Sequence, residues 1–156
     1  MRPVPIRDLL AAQPVLSDLE PADIDLMAGC GHNEVFAAGR HLARADETAD
    51  RFFIVRQGKV ALELHAPTGP LLIETLGAGD LVGWSWLFPP YRWTYDVEAI
   101  DQTRVTVIES ACLRAKCDAD PAFGYRLMKG FAQVVVDRLQ ATRFRLLDLY
   151  GNVDAG

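Results

Sequence analysis

The residues best suited to chemistry in this chain lie close together. They fall within Gly79-Asp80-Leu81-Val82-Gly83-Trp84-Ser85-Trp86-Leu87-Phe88-Pro89-Pro90-Tyr91-Arg92-Trp93-Thr94-Tyr95. All three tryptophans, and six of the 14 aromatic residues, sit between positions 84 and 95. Pro89-Pro90 excludes a continuous helix or a central strand there, because proline lacks an N–H and fixes φ. Trp84, Trp86 and Phe88 alternate, so an extended backbone would set their rings on one side. An aromatic insert of this kind suits the wall of a ligand pocket, since such pockets are mostly apolar with a few placed polar groups. The same rings would equally plug one end of a barrel. The candidate ligand-binding residues are Gly83, Trp84, Ser85, Trp86, Arg92, Trp93 and Thr94, with Arg92 as the cation for an acidic group.

Other chemistry lacks a residue set. Cys112 and Cys117 have four residues between them, but zinc sites need four convergent ligands and no histidine is near. His32, His41 and His65 fall on separate segments with no nucleophile motif beside them. Gly-x-Ser-x-Gly, His-Glu-x-x-His and Walker-type loops are missing. Asp46-Glu47-Thr48-Ala49-Asp50 reads as a solvated acidic turn rather than a pair for acid–base work. The expectation is therefore a protein that is not an enzyme, with no metal and no cofactor beyond a small-molecule effector.

The elements that must position the aromatic insert follow from periodicity. Residues 1–30 carry short helical patterns, with Leu16 and Leu19 followed by Ile24, Leu26 and Met27. Pro21 suits a first helical turn and Gly29 an exit. From about residue 32 to 109 the period becomes two. Strands are predicted at 34–36, 51–56, 59–65, 71–76, 95–100 and 104–109, with Gln57-Gly58, Thr68-Gly69 and Ala78-Gly79 as turns between them. Short strands at roughly ten-residue spacing indicate a mainly β, antiparallel barrel or sandwich. The boundaries read as a helical segment over 1–30, a β core over 31–118, a long helix over 119–150 and a tail over 151–156.

Asp120 and Pro121 predict the start of the long helix and Gly151 its end. About 30 residues would span roughly 45 Å. Met128, Ala132, Val135, Leu139, Thr142, Leu146 and Leu149 recur at alternating spacings of 4 and 3, the pattern of a coiled-coil seam. A β core of ~80 residues is too small to cover such a helix, so a homodimer is expected through this seam. Lys129, Arg126, Arg138, Arg143 and Arg145 make the helix basic, which a solvated face or pairing with Asp137 and Asp148 would explain.

Composition narrows the class further. With 156 residues, half of them hydrophobic and 24% charged, the chain suits one globular domain with a substantial core. A net charge of −5 disfavours nucleic-acid binding, which relies on clustered cations. Direct DNA reading would also need a further helix-turn-helix after the long helix. No apolar run approaches the ~20 residues of a membrane span, and no signal-peptide core follows the amino terminus. Three cysteines, Cys30, Cys112 and Cys117, form no even framework, so reduced thiols in a cytoplasmic protein are expected.

Three stretches also carry a resemblance. Phe36-Ala37-Ala38-Gly39, Ala49 to Val60 and Leu76-Gly77-Ala78-Gly79-Asp80-Leu81-Val82-Gly83 resemble the cyclic-nucleotide-binding domains of Crp/Fnr-type bacterial regulators. The resemblance runs from about Leu16 to Tyr150. It implies an antiparallel, jelly-roll-like double-stranded β-roll, a ligand-sensing module with its phosphate cassette starting at Gly83, and a long carboxy-terminal helix that dimerises. In that family the residue after the glycine is normally a glutamate holding the ribose hydroxyl, where this chain has Trp84. The phosphate-gripping arginine would fall at Trp93, one position after Arg92, and Thr94 takes the place of a small phosphate neighbour. An indole replaces neither the bidentate grip of a guanidinium nor its charge. An unpaired ribose hydroxyl costs about 1–3 kcal/mol more. Three expectations follow: an apolar or aromatic ligand stacked among Trp84, Trp86 and Trp93, a cyclic nucleotide held through Arg92, or a ligand-free scaffold that meets a protein partner.

Overall fold

A computed structural model describes residues 4–154 of the chain. Eight strands form two four-stranded antiparallel sheets. In chain order they are β1 (Gly31–Phe36), β2 (His41–Ala43), β3 (Arg51–Gln57), β4 (Lys59–Ala66), β5 (Gly69–Gly77), β6 (Leu81–Val82), β7 (Asp96–Ala99) and β8 (Thr103–Glu109). One sheet runs β1-β8-β3-β6 and the other β2-β7-β4-β5. The six predicted strands are present, with ends moved by up to three residues. The short β2 and β6 escape a periodicity argument, because two or three residues show no period. Gly58, Gly69 and Gly79 sit in the predicted turns with positive φ, which glycine accepts without a Cβ penalty.

Strand β3 explains why four apolar residues can run in succession. Phe52, Phe53, Ile54 and Val55 are all fully buried, since β3 is covered on both faces. Phe52 points to the helical side, where its ring meets Trp86 at 5.4 Å and Phe131 at 5.3 Å. Phe53 points into the roll, against Phe36 at 6.3 Å and Trp93 at 6.0 Å.

Four helices flank the roll: α1 (Ile6–Ala11), α2 (Pro21–Ala28), α3 (Ser110–Ala119) and α4 (Pro121–Asp154). Helix α2 begins at Pro21 with a reciprocal Glu20–Asp23 capping box and ends at Gly29. The last strand ends at Glu109 as expected, and helix α3 occupies the rest of the 31–118 core segment. The backbone N–H of Phe123 donates to Asp120 Oδ1 at 3.2 Å, the predicted cap of α4. Gly151 does not end that helix, which continues to Asp154; residues 155–156 of the expected tail lie outside the described residues.

The first half of α4 packs on its own domain through Phe123, Leu127 and Phe131, all buried. Gly130 allows the close approach. A Cβ there would stand 2.0 Å from the Val15 carbonyl oxygen in the 3-10 turn Pro14–Leu16. From Leu139 to Tyr150 every residue is exposed. Of the predicted seam, Val135 is half-buried and Met128, Ala132, Leu139, Thr142, Leu146 and Leu149 are exposed in the single chain.

The thiol expectation is corrected. Cys30 and Cys112 form a disulfide across 82 residues, with Cα atoms 5.6 Å apart. The reason is tertiary: β1 and β8 pair with Gly31 opposite Ile108, which brings the end of α2 beside the start of α3. Cys117 remains a free, half-buried thiol. No described helix is long and apolar enough to cross a membrane.

Candidate functional site

Strand β6 ends at Val82 and delivers the chain to Gly83, whose φ is +100°. That angle is strained for any residue with a Cβ, and space is closed as well. A Cβ on Gly83 would lie 2.5 Å from the Trp93 ring. The chain then makes a 3-10 turn at Ser85–Leu87 rather than an extended run. This corrects the expectation that Trp84, Trp86 and Phe88 share one side. The turn sends Trp86 into the core, where it is fully buried between Phe52 and Phe131, both at 5.4 Å. Phe88 is 59% exposed, and Trp84 stays half-buried between them.

The return leg is fixed by the β2–β3 loop. Trp93 N–H donates to the Glu47 carbonyl at 2.9 Å, Asp46 N–H to the Trp93 carbonyl at 2.8 Å, and Ala49 N–H to the Tyr91 carbonyl at 2.7 Å. Successive residues of such an extended leg face opposite ways. Trp93 therefore turns into the roll and stacks on Phe53, only 7% exposed. Arg92 turns outward and donates through Nη1 to the Asp46 carbonyl at 2.6 Å. It lies in a separate groove with Tyr91 and Arg114. The assignment of Arg92 and Trp86 to a common ligand pocket is corrected by these two placements.

Five of the seven candidates do converge. Gly83, Trp84, Ser85, Trp93 and Thr94 line a largely apolar cavity of about 70 Å³, and Arg138 of α4 completes its wall. The Arg138 guanidinium stands 5.0 Å from the centre of the Trp84 ring and donates to the Leu81 carbonyl. Burial pulls its pKa below the ordinary arginine value, against the attraction of Glu74 and Asp80. Arg138 therefore does not belong to a solvated basic face. The signal was available, because Arg138 lies seven residues after Phe131, two helical turns along the face that meets the roll. Arg126 is also taken from that face. Its Nη2 pairs with the buried Asp23 at 2.8 Å, and this hydrogen bond holds the guanidinium in its charged form.

Among the described residues no group of three or more His, Cys, Asp and Glu is placed to hold a metal ion. The architecture and the position of the cavity at the start of the aromatic insert agree with a family match over residues 33–120, described as the cyclic nucleotide-binding domain. The chain belongs to the cyclic nucleotide-binding domain family. A CRP-like cAMP-activated global transcriptional regulator of Mycobacterium tuberculosis is 26% identical over 143 residues, which cover 91% of this chain and 62% of the regulator. The chain thus spans under two-thirds of that relative's length. A cyclic nucleotide-binding domain from Methylobacillus flagellatus superposes with a TM-score of 0.78 at 16% identity, covering 91% of this chain and 80% of its own. The regulatory domain of Toxoplasma gondii PKA, crystallised with cAMP, gives a TM-score of 0.69 at 20% identity over 87% of this chain and 49% of its own. These two structures share the fold. The family membership makes the chain a domain of the regulatory, ligand-sensing type.

Proposed function

We propose that this cyclic nucleotide-binding-type domain senses a small molecule that is not held by the usual glutamate and arginine contacts, and relays its binding to α4. The observation that carries the reading is Trp93. Its ring fills the roll at the position the resemblance gives to the phosphate-gripping arginine, and about 70 Å³ remains beside it. Small-molecule pockets ordinarily enclose about 300–1,000 Å³, so a cyclic nucleotide would compete with the protein's own indole. Trp84 stands where the resemblance puts the ribose-holding glutamate, which would remove the second contact. The cavity wall includes Arg138 of α4, so an occupant would touch the long helix directly. That helix would pair with a second copy through its exposed apolar stripe, whose Leu139, Leu146 and Leu149 are 47–64% exposed in the single chain.

Titration of the purified chain with cyclic AMP and cyclic GMP, followed by tryptophan fluorescence, tests the proposal. No saturable change up to millimolar nucleotide is expected. A saturable response below 1 mM, on the order of −4 kcal/mol of binding, refutes it. The small cavity favours a second reading, a ligand-free domain that presents its surface to a protein partner. Native mass spectrometry separates the two, since a retained small-molecule mass supports sensing and its consistent absence supports the interaction role.

A further inference from the structure

We infer that Arg138 is the anion partner of a short-chain aliphatic carboxylate bound in the cavity between Trp84 and Trp93. The inference rests on the ligand-sensing reading and names its ligand class. It starts from the state of the charge. A guanidinium carries five N–H donors, and the hydrogen bond that Arg138 makes among the described residues is to the Leu81 carbonyl. Glu74 and Asp80 attract it from a distance, but neither forms an ion pair with it among the described residues. A charge taken from water without an opposite partner is costly, and a carboxylate offers the planar, two-pronged match to a guanidinium. The Trp84 ring holds the head at the cavity wall by its π face.

Size and wall chemistry select the rest of the ligand. An enclosed cavity of about 150 Å³ admits benzene; the present one holds about 70 Å³ and is partly open to solvent. That leaves room for a carboxyl group with two or three carbons. Leu62, Val82 and Val97 supply aliphatic wall for a short tail, and Ser85, Thr94 and Tyr95 add hydroxyls at the same cavity. Arg138 also borders the groove beside Asp80 and Asp137, and its head is tied to the Leu81 carbonyl, so drawing it toward a ligand would loosen that hold. The contact between β6 and α4 changes with it.

The test uses the full chain, dialysed, with propionate and its neutral counterpart 1-propanol, read by tryptophan fluorescence and calorimetry. Propionate is expected to saturate the wild-type signal, with 1-propanol weaker by about tenfold or more and Arg138→Gln weakening propionate by a similar factor, the scale of one charge-assisted hydrogen bond. Equal binding of 1-propanol and propionate overturns the inference and leaves sensing intact. Unimpaired propionate binding by folded Arg138→Gln does the same. Because Arg138→Gln could lose the fold, the wild-type propionate and 1-propanol comparison decides by itself. If neither probe binds and native mass spectrometry finds no retained molecule, the inference and the sensing reading fall together.

Discussion

Gly83→Ala is the sharpest perturbation of the site, because two independent costs meet at one methyl group. The backbone there has φ +100°, and a Cβ in left-handed territory costs roughly 1–2 kcal/mol. The added carbon would also sit 2.5 Å from one Trp93 ring atom and 2.7 Å from another. That ring has little freedom to yield. It stacks on Phe53 at 6.0 Å, and the backbone N–H of Trp93 is tied to the Glu47 carbonyl at 2.9 Å. Overpacking of this kind costs roughly 1–3 kcal/mol. The sum, roughly 2–5 kcal/mol, is a large part of the ~5–15 kcal/mol that stabilises an ordinary domain. In equilibrium urea unfolding with a slope of ~2 kcal/mol/M, the midpoint should fall by about 1–2.5 M. Trp93→Leu removes the ring edge, so the double variant should recover the steric part and keep the backbone part. The double-mutant cycle should then show a favourable coupling of about 1 kcal/mol or more. A Gly83→Ala protein within about 0.5 kcal/mol of the parent, near the scatter of ordinary surface changes, would refute the reasoning. So would a coupling indistinguishable from zero.

Three further outcomes are expected. Replacing Leu139 and Leu146 together by Asp should convert a dimer to a monomer in sedimentation velocity, and an unchanged mass would sink the seam. Reducing the Cys30–Cys112 bond opens a loop of 82 residues, worth about 4–5 kcal/mol by chain entropy; urea midpoints that coincide with and without reductant would contradict the disulfide. Burial and the neighbouring Asp118 raise the Cys117 thiol pKa, so the fold favours the protonated form. That preference adds stability below the unfolded-state pKa and is lost as pH rises through the folded one. One equivalent of iodoacetamide should therefore react more slowly at pH 8 than with the urea-unfolded, still oxidised chain. Equal rates would show that the thiol is not protected.

The strands and the long helix were legible because their signals are local. Period-two runs between glycine turns located six strands, and Asp120-Pro121 located the start of α4. Helix α3 does not stand apart from the β core in the sequence, since Ser110–Ala119 is short and largely polar; it is held by the buried Leu113 and by Cys117 packed against Gly124, where a Cβ would come within 3.2 Å. The site was legible as a neighbourhood and not as a geometry. Gly83, Trp84, Ser85, Trp93 and Thr94 were named together from the sequence and meet at one cavity. Arg92 adjoins these residues in the chain but lies in another groove, whereas Arg138 reaches the cavity from α4, because cavity walls are assembled by adjacency in space.

The amino-acid sequence by itself determined the class of this protein: turn chemistry, alternation and capping act over a few residues and need no distant partner. It also places tryptophans at 84 and 93, the two positions where the resemblance implies a glutamate and an arginine. Only the tertiary structure decided what those tryptophans do. A 3-10 turn sends Trp86 into the core, the loop at 46–49 turns Trp93 inward and Arg92 outward, and α4 brings Arg138 across 54 residues to the face of Trp84. The Cys30–Cys112 bond has the same origin, because strand pairing and helix docking set which distant residues meet.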